Sequence, residues 1–442
     1  MRMTYDILIK NANIITLSDN TEDIPKGLIG IKDGNIDYIG SEVPSGKFET
    51  VIDARGNIVM PGLINAHTHA AMSIYRGYAD DISLFDWLKH HIWPAEEKFV
   101  TKENIDPASE LSIAEMIRSG TSTFSDMYFF SNITQTVAER TGIRAVLGEA
   151  VIDTPFPAYK ISEHYWKEKA ESHKYNGGLV NYSLVPHSPY SCSKELLKKI
   201  KSVSKKTGML IHTHVSETQS EVDQIRKMHG MTPVEYLDSI NFFDSNVAAV
   251  HCAVLSDNDI EILSKRDVKI VHCVQSNLKL ASGIARISDL KNAGVTIALG
   301  TDGQASNNTL DMFAEMKTCA LVHKAVNNDT TVLNAREVVA MATINGARTL
   351  GIDKFTGSLE IGKKADLIMI DIKSPHLTPM YDPYSHVVYS ARGSDVDTVI
   401  IDGKIVMRNK KLLTIDEKKL MKKINKLSKE ITKFKMMNGV RK

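Results

Sequence analysis

Two histidines one residue apart, in His67-Thr68-His69, follow the apolar run Val59–Ala66. On an extended segment residues i and i+2 point to one side, so both imidazoles can converge on one metal ion at about 2.0–2.1 Å each. Taken alone, such a pair is equally compatible with surface or packing histidines; its position at the end of an expected strand gives it weight. Three more apolar runs end in groups of the same kind. One ends Ile211-His212-Thr213-His214 and continues to Ser216-Glu217, another ends Val250-His251-Cys252, and a third ends Leu299-Gly300-Thr301-Asp302. Imidazole nitrogens with a carboxylate oxygen make a catalytic divalent-metal site, and a glutamate beside it can carry protons. His212 and His214 alternate onto the same face, so spacing leaves open which of them ligates. His272 and Cys273 end a further run. A ligating histidine needs its second ring nitrogen fixed by a neighbour, and that is the role expected of His212 and His272.

These groups need a scaffold that brings several strand ends to one place. Eight apolar runs qualify: Leu63–Ala66, Thr121–Asp126, Arg144–Val151, Leu179–Val185, Met209–His214, Val247–His251, Val268–His272 and Thr296–Gly300. Amphipathic stretches such as Lys194–Thr207, Asp257–Arg266 and Leu310–Asn327 lie between them and read as helices. Eight βα units in series read as a parallel (β/α)8 TIM barrel over residues 61–360, whose chemistry sits at the strand C-terminal ends. An open doubly wound sheet would give the same alternation. Before the barrel, Asp6–Lys10, Gly27–Lys32, Asn35–Ile39 and Val51–Asp53 read as a meander, with Asp33-Gly34 as a hairpin turn and a break at Met60-Pro61-Gly62. After it, Ala365–Asp371, Val387–Ser390, Val396–Ile401 and Lys404–Met407 read as strands of similar length. Residues 1–60 and 361–415 are therefore expected to meet in one small β-sandwich domain. The lysine-rich stretch Asp416–Lys435 reads as a terminal helix with a solvated face, in a C-terminal segment 416–442.

Composition narrows the function classes. Of the 442 residues, 43% are hydrophobic and 24% charged, ordinary for a globular protein, and 442 residues suit one large domain with a smaller one. A formal charge of +1 gives no field to draw the chain to nucleic acid or an acidic membrane. The opening MRMTYDILIKNANIITL reads as a strand pair rather than a secretory signal, and no apolar run reaches the roughly 20 residues a bilayer demands. Cys192, Cys252, Cys273 and Cys319 are scattered without CxxC spacing, which suits a reducing compartment. The expectation is a cytoplasmic protein with a small-molecule substrate, without nucleic-acid or membrane partners, assembling as a homo-oligomer.

The stretches PGLINAHTHAAM, HSPYSC, HTHVSET, AVHCAVL, QSNLKLASGIA and LGTDGQASNN together resemble the amidohydrolase superfamily. More narrowly, they resemble its methylthioadenosine/S-adenosylhomocysteine deaminase branch with chlorohydrolase-like relatives, over about residues 5–420. The resemblance implies one divalent ion on His67, His69, His214 and Asp302. Strand four ends Val185-Pro186-His187-Ser188-Pro189, without the lysine that bridges two metals in binuclear relatives. Zinc is the expected ion, while Fe(II), Mn(II) or Ni(II) would also suit three nitrogens and an oxygen. By the same resemblance, Glu217 carries a proton from water to the ring nitrogen beside the attacked carbon. His251 hydrogen-bonds the added oxygen, and Asp302 protonates the departing ammonia. Glu96 corresponds to an acceptor for both ribose hydroxyls and His187 to a contact near N3 and the ribose; Trp87 could add an aromatic wall. The implied reaction is hydrolytic deamination of an adenine nucleoside (adenosine, 5′-methylthioadenosine or S-adenosylhomocysteine type) to its inosine analogue. The alternative is a deaminase or dechlorinase of guanine, a pterin or a triazine.

One departure concerns the 5′ end of the substrate. Relatives that take S-adenosylhomocysteine carry arginines for its carboxylate, one of them after strand three. Here Leu147-Gly148-Glu149-Ala150 puts an acid at that position, and Lys160 is the cation of the loop that follows. Glu149 is expected to repel a substrate carboxylate.

Overall fold

The computed structural model describes residues 4–153, 169 and 177–437. Both ends of the chain enter one mainly antiparallel sheet. Its strands are β1 (Thr4–Ile14), β2 (Ile24–Lys32), β3 (Asn35–Gly40), β4 (Lys47–Asp53) and β5 (Ile58–Pro61) from the N-terminal side. Two further sets follow in chain order. The parallel strands are β6 (Leu63–Thr68), β7 (Thr121–Tyr128), β8 (Arg144–Val151), β9 (Val180–Tyr182), β10 (Val185–Pro186), β11 (Ile211–Val215), β12 (Val247–His251), β13 (Lys269–His272) and β14 (Ile297–Leu299). Then β15 (Leu367–Ile370), β16 (Val396–Ile401), β17 (Lys404–Arg408) and β18 (Lys411–Leu412) return to the first sheet in the order β18-β17-β16-β15-β5-β1-β2-β3, with β4 on β1.

Strand β5 lies where the sequence suggested only a break. Pro61 ends it, and its four residues pair antiparallel with β15 from Leu367↔Pro61 to Ile370↔Ile58. This pairing brings residues some 300 positions apart into register, which no local pattern announces. Val387–Ser390 is a helical turn, not a strand. Asp382 caps the turn before it by accepting from Tyr384 N at 2.9 Å, and Pro383 stands at its first position. Val387 and Val388 are both fully buried, whereas a strand would have turned one of them away. The helix Glu417–Met437 buries Leu420, Leu427 and Ile431 and exposes most of its lysines.

The parallel strands form two sheets, β10-β8-β7-β6 with β9 on β8, and β11-β12-β13-β14. Two junctions link them. At one, Leu184 bridges Ile211 in parallel and His212 N donates to Leu184 O at 2.9 Å. At the other, Asp302 N donates to His67 O at 3.0 Å. The second junction requires glycine at position 300, where a Cβ would stand 2.8 Å from His67 N. Helices such as Lys194–Thr207 and Asp257–Lys265 cover the strands, each started by a serine that accepts from a first-turn N–H. No helix among the described residues is long and apolar enough to cross a membrane, and all four cysteines are buried and free.

The two-ended sheet is tied to the parallel strands by a buried ion pair. Arg144, at the start of β8, donates to Asp366 Oδ2 at 2.6 Å and Oδ1 at 3.1 Å; both residues are 1% exposed. Asp366 also accepts from Asp402 N at 2.7 Å. Removing one partner strands a buried charge, so Asp366→Ala should destabilise by about 3–5 kcal/mol. Urea denaturation followed by circular dichroism would read this as a lower midpoint. An unchanged midpoint would show that Asp402, whose Oδ1 lies 3.7 Å from Arg144 Nη2, suffices as its partner.

Candidate active site

Donor atoms from His67, His69, His214 and Asp302 gather at the C-terminal ends of β6, β11 and β14, with His67 common to a set with His69 and Asp302 and a close pair with His214. His67 Nε2 lies 3.2 Å from His214 Nε2 and 3.4 Å from Asp302 Oδ1, and His69 Nε2 lies 3.1 Å from Asp302 Oδ1. Ligands at about 2.0–2.2 Å from one tetrahedral ion stand about 3.3–3.6 Å apart, and these separations come within about 0.2 Å of that range. The opposite atoms of the same side chains are already occupied. His69 Nδ1 donates to Met127 O at 2.6 Å and His214 Nδ1 to His187 O at 2.7 Å. His67 Nδ1 is 2.9 Å from His212 Nε2, whose own Nδ1 faces Ser125 Oγ at 3.4 Å. Asp302 Oδ2 accepts from Ser276 Oγ at 2.6 Å and Ser306 Oγ at 2.7 Å, leaving Oδ1 for the cluster. Each imidazole therefore presents an Nε2 lone pair to the same point, which is the preparation a metal ligand needs. A second set, His67, His214 and His251, also clusters closely enough to hold a metal ion.

Backbone strain collects at the same place. Ser216, His251, Cys252 and Asp302 all have positive φ, where residues other than glycine are uncommon. Beyond the Ser216 turn, Glu217 lies with its Oε2 3.9 Å from His251 Nε2. Burial pushes the Glu217 carboxyl above the ordinary glutamate range, while the His251 imidazole pulls the other way. The turn is held by Glu221, whose carboxylate accepts from Ser216 N at 3.1 Å and Glu217 N at 2.7 Å. His251 is oriented in turn by Asn277 Oδ1, 2.8 Å from its Nδ1.

A cavity of about 440 Å³ opens on this cluster. Its lining brings together His69, His214, Glu217, His251 and Asp302 with Glu96, His187 and Trp87. Glu96 lies in the helix Trp93–Phe99 and is buried, which pushes its carboxyl up to about 7 against the lowering effect of a hydrogen bond from Tyr128. Burial holds the His187 imidazole down at about 3, hence neutral, with Nδ1 engaged by Ser191 Oγ at 2.9 Å. Trp87 is 5% exposed and packs in the cluster that includes Ile92, Ala95 and Phe99.

All nine residues singled out from the sequence thus border one centre, but two supporting expectations need correction. His272 does not brace a donor of the cluster. Its Nε2 is 3.0 Å from His323 Nε2, on the helix Met312–Asn327 behind the strand, beside Cys319. Glu149 does not face the cavity. Its two oxygens accept from Phe130 N at 2.8 Å and Ser131 N at 2.7 Å, capping the helix Ser131–Thr141, so its charge is turned away from any substrate. Lys160 lies outside the described residues. Sequence reading missed Ser276, Asn277, Ser306, Glu221 and Tyr128. The first three lie in the QSNLKL and GTDGQASNN stretches, and Glu221 is one helical turn from Glu217; those are the signals that could have found them. Tyr128 carried no local signal.

Comparison with known proteins bears on this centre. The family model for the amidohydrolase family matches residues 58–406. The 5′-deoxyadenosine deaminase of Methanosarcina mazei is 45% identical over 438 residues, covering 96% of this chain and 98% of that protein. The 5-methylthioadenosine/S-adenosylhomocysteine deaminase of Thermoanaerobacter pseudethanolicus is 43% identical over 434 residues, covering 96% and 99%. Among solved structures, an adenosine deaminase from Xanthomonas campestris with bound zinc superposes with a TM-score of 0.93 at 32% identity, covering 98% of this chain and 100% of that one.

Proposed function

Since this chain belongs to the amidohydrolase family, we propose that it is a metal-dependent hydrolytic deaminase of adenine nucleosides carrying a neutral 5′ group. The observation that carries the reading is one cavity lined by three of the four donors, His69, His214 and Asp302, together with Glu217 and Glu96. The names of the two relatives and the zinc of the adenosine deaminase support it. We also read the parallel strands as a closed (β/α)8 barrel over 61–360. On this reading 1–60 and 361–415 make a small β-sandwich domain, and the C-terminal segment 416–442 carries the helix Glu417–Met437; the two junctions between the parallel sheets favour closure.

His67, His69 and His214 through Nε2, with Asp302 through Oδ1, would hold one divalent ion, zinc by donor type. When bound, such an ion supplies Lewis acidity that lowers the pKa of water to about 7. The remaining chemistry belongs to side chains. Glu217 takes a proton from the attacking water and delivers it to purine N1 as the oxygen adds to C6. Burial raises its carboxyl above the ordinary glutamate range, which makes it a better proton acceptor than an exposed one. His251, held by Asn277, hydrogen-bonds the oxygen at C6. Asp302 passes the second proton to the amino group, which leaves as ammonia, and the C6 oxygen becomes the carbonyl of the inosine product. Glu96 accepts from the ribose hydroxyls, His187 contacts the purine near N3, and Trp87 forms part of the wall.

The 5′ end is decided by charge. No arginine lines the cavity among the described residues; its lysine is Lys89, and the chain between 154 and 176 contains no arginine in its sequence. A buried carboxylate wants a bidentate guanidinium. 5′-Deoxyadenosine, 5′-methylthioadenosine and adenosine should therefore exceed S-adenosylhomocysteine in kcat/KM by about tenfold or more, or about 1.4 kcal/mol. An ammonia-release panel over these four, with guanine, a pterin and a chlorotriazine, tests both levels. Parity of S-adenosylhomocysteine would reveal a cation for its carboxylate. Turnover confined to the other heterocycles would overturn the adenine reading.

A further inference from the structure

Tyr128 closes β7 and is 4% exposed, yet its hydroxyl reaches across the cavity wall to donate to Glu96 Oε1 at 2.6 Å. The two residues come from different parts of the chain. Glu96 stands in the helix Trp93–Phe99, within the long connection after β6, whereas Tyr128 is fixed at the end of the next strand. The bond therefore ties that helix to the parallel strands at one carboxylate oxygen.

A carboxylate recognises a vicinal diol by accepting from both hydroxyls, which works only if its plane is held. Glu96 has rotatable bonds, and its carboxylate accepts a side-chain hydrogen bond from Tyr128. A short phenol bond to Oε1 fixes the plane, favours the ionised carboxyl, and leaves Oε2 and one lone pair of Oε1 for the ligand. We propose that Tyr128 is a positioning residue that sets Glu96 to recognise the 2′,3′-diol of the ribose, and thereby makes the enzyme discriminate ribonucleosides from their deoxy forms. The proposal rests on the reading of Glu96 as the ribose acceptor.

Steady-state kinetics of the metal-loaded enzyme on adenosine and on 2′,3′-dideoxyadenosine separates the two. Wild type should prefer adenosine. In Tyr128→Phe, KM for adenosine should rise by about tenfold with a smaller change in kcat, while KM for the dideoxy analogue moves by less than about twofold. A merely structural role would raise KM for both substrates. Glu96→Gln supplies the second comparison. It should abolish the preference, and the double variant should discriminate no less than Glu96→Gln alone. If Glu96→Gln removes the preference and Tyr128→Phe keeps it, the role given to Tyr128 is overturned while that of Glu96 stands. If Glu96→Gln itself keeps the preference, the ribose reading of Glu96 falls, and the proposal falls with it.

Discussion

Replacing Glu217 with glutamine is expected to lower kcat by about 10²–10⁴-fold while leaving the metal content and fold intact. Glutamine keeps the length and hydrogen-bonding reach of the side chain but cannot carry a proton from water to the purine. The backbone of the turn is gripped independently, by Glu221 at Ser216 N and Glu217 N, so the substitution need not move it. Glu217 is also absent from both donor clusters, and its nearest approach to His251 Nε2 is 3.9 Å. Single-turnover kinetics with elemental analysis would check both halves of the expectation. Turnover within a few-fold of wild type would remove Glu217 from the proton path.

The second large effect is loss of the ion. Wild-type protein should purify with about one equivalent of divalent metal, zinc foremost, and His214→Ala should lose most of it together with nearly all activity. His214 Nε2 lies 3.2 Å from His67 Nε2, so its loss removes one of two neighbouring imidazole donors. Two companion variants separate direct ligation from support. His212→Ala leaves His67 Nδ1 without its partner at 2.9 Å and should weaken metal affinity by about 10–100-fold rather than abolish it. His251→Ala should keep the ion, because the proposed four donors include Asp302 in its stead. Loss of metal from His251→Ala with retention in Asp302→Ala would favour the alternative set of His67, His214 and His251. Two tightly bound equivalents would overturn the single-ion reading.

Much of this was legible in the chain because the relevant signals are local. Strand β12 runs over Val247–His251 and β8 over Arg144–Val151, the very runs marked by apolar residues between turn signals. Less local features went astray. Strand β5 exists because β15 pairs with it, and Val387–Ser390 coils because both valines find buried neighbours on one side. Glu149 showed the same limit in the site. Its charge invited a role towards substrate, yet two orphan amides at the start of the Ser131–Thr141 helix stand closer and take both oxygens.

By itself the sequence determined that His67 and His69, and likewise His212 and His214, share a face, since side chains alternate along a strand with a period of two residues. It also determined that His69, His214 and Asp302 fall at or just beyond strand ends, because apolar runs stop there. Spacing leaves His212 and His214 equivalent, and only the tertiary structure gives them different neighbours. Residues two apart on a strand differ by about 6.6–6.8 Å in height, and the Leu184–Ile211 junction sets β11 so that His214 is level with His67 Nε2 while His212 meets its Nδ1. The partners of Asp302, the capping of Glu149 and the grip of Tyr128 on Glu96 were decided there too, for one physical reason. A polar side chain takes whichever buried partner the packing of distant segments brings within about 3 Å, and the order of residues along the chain does not carry that distance.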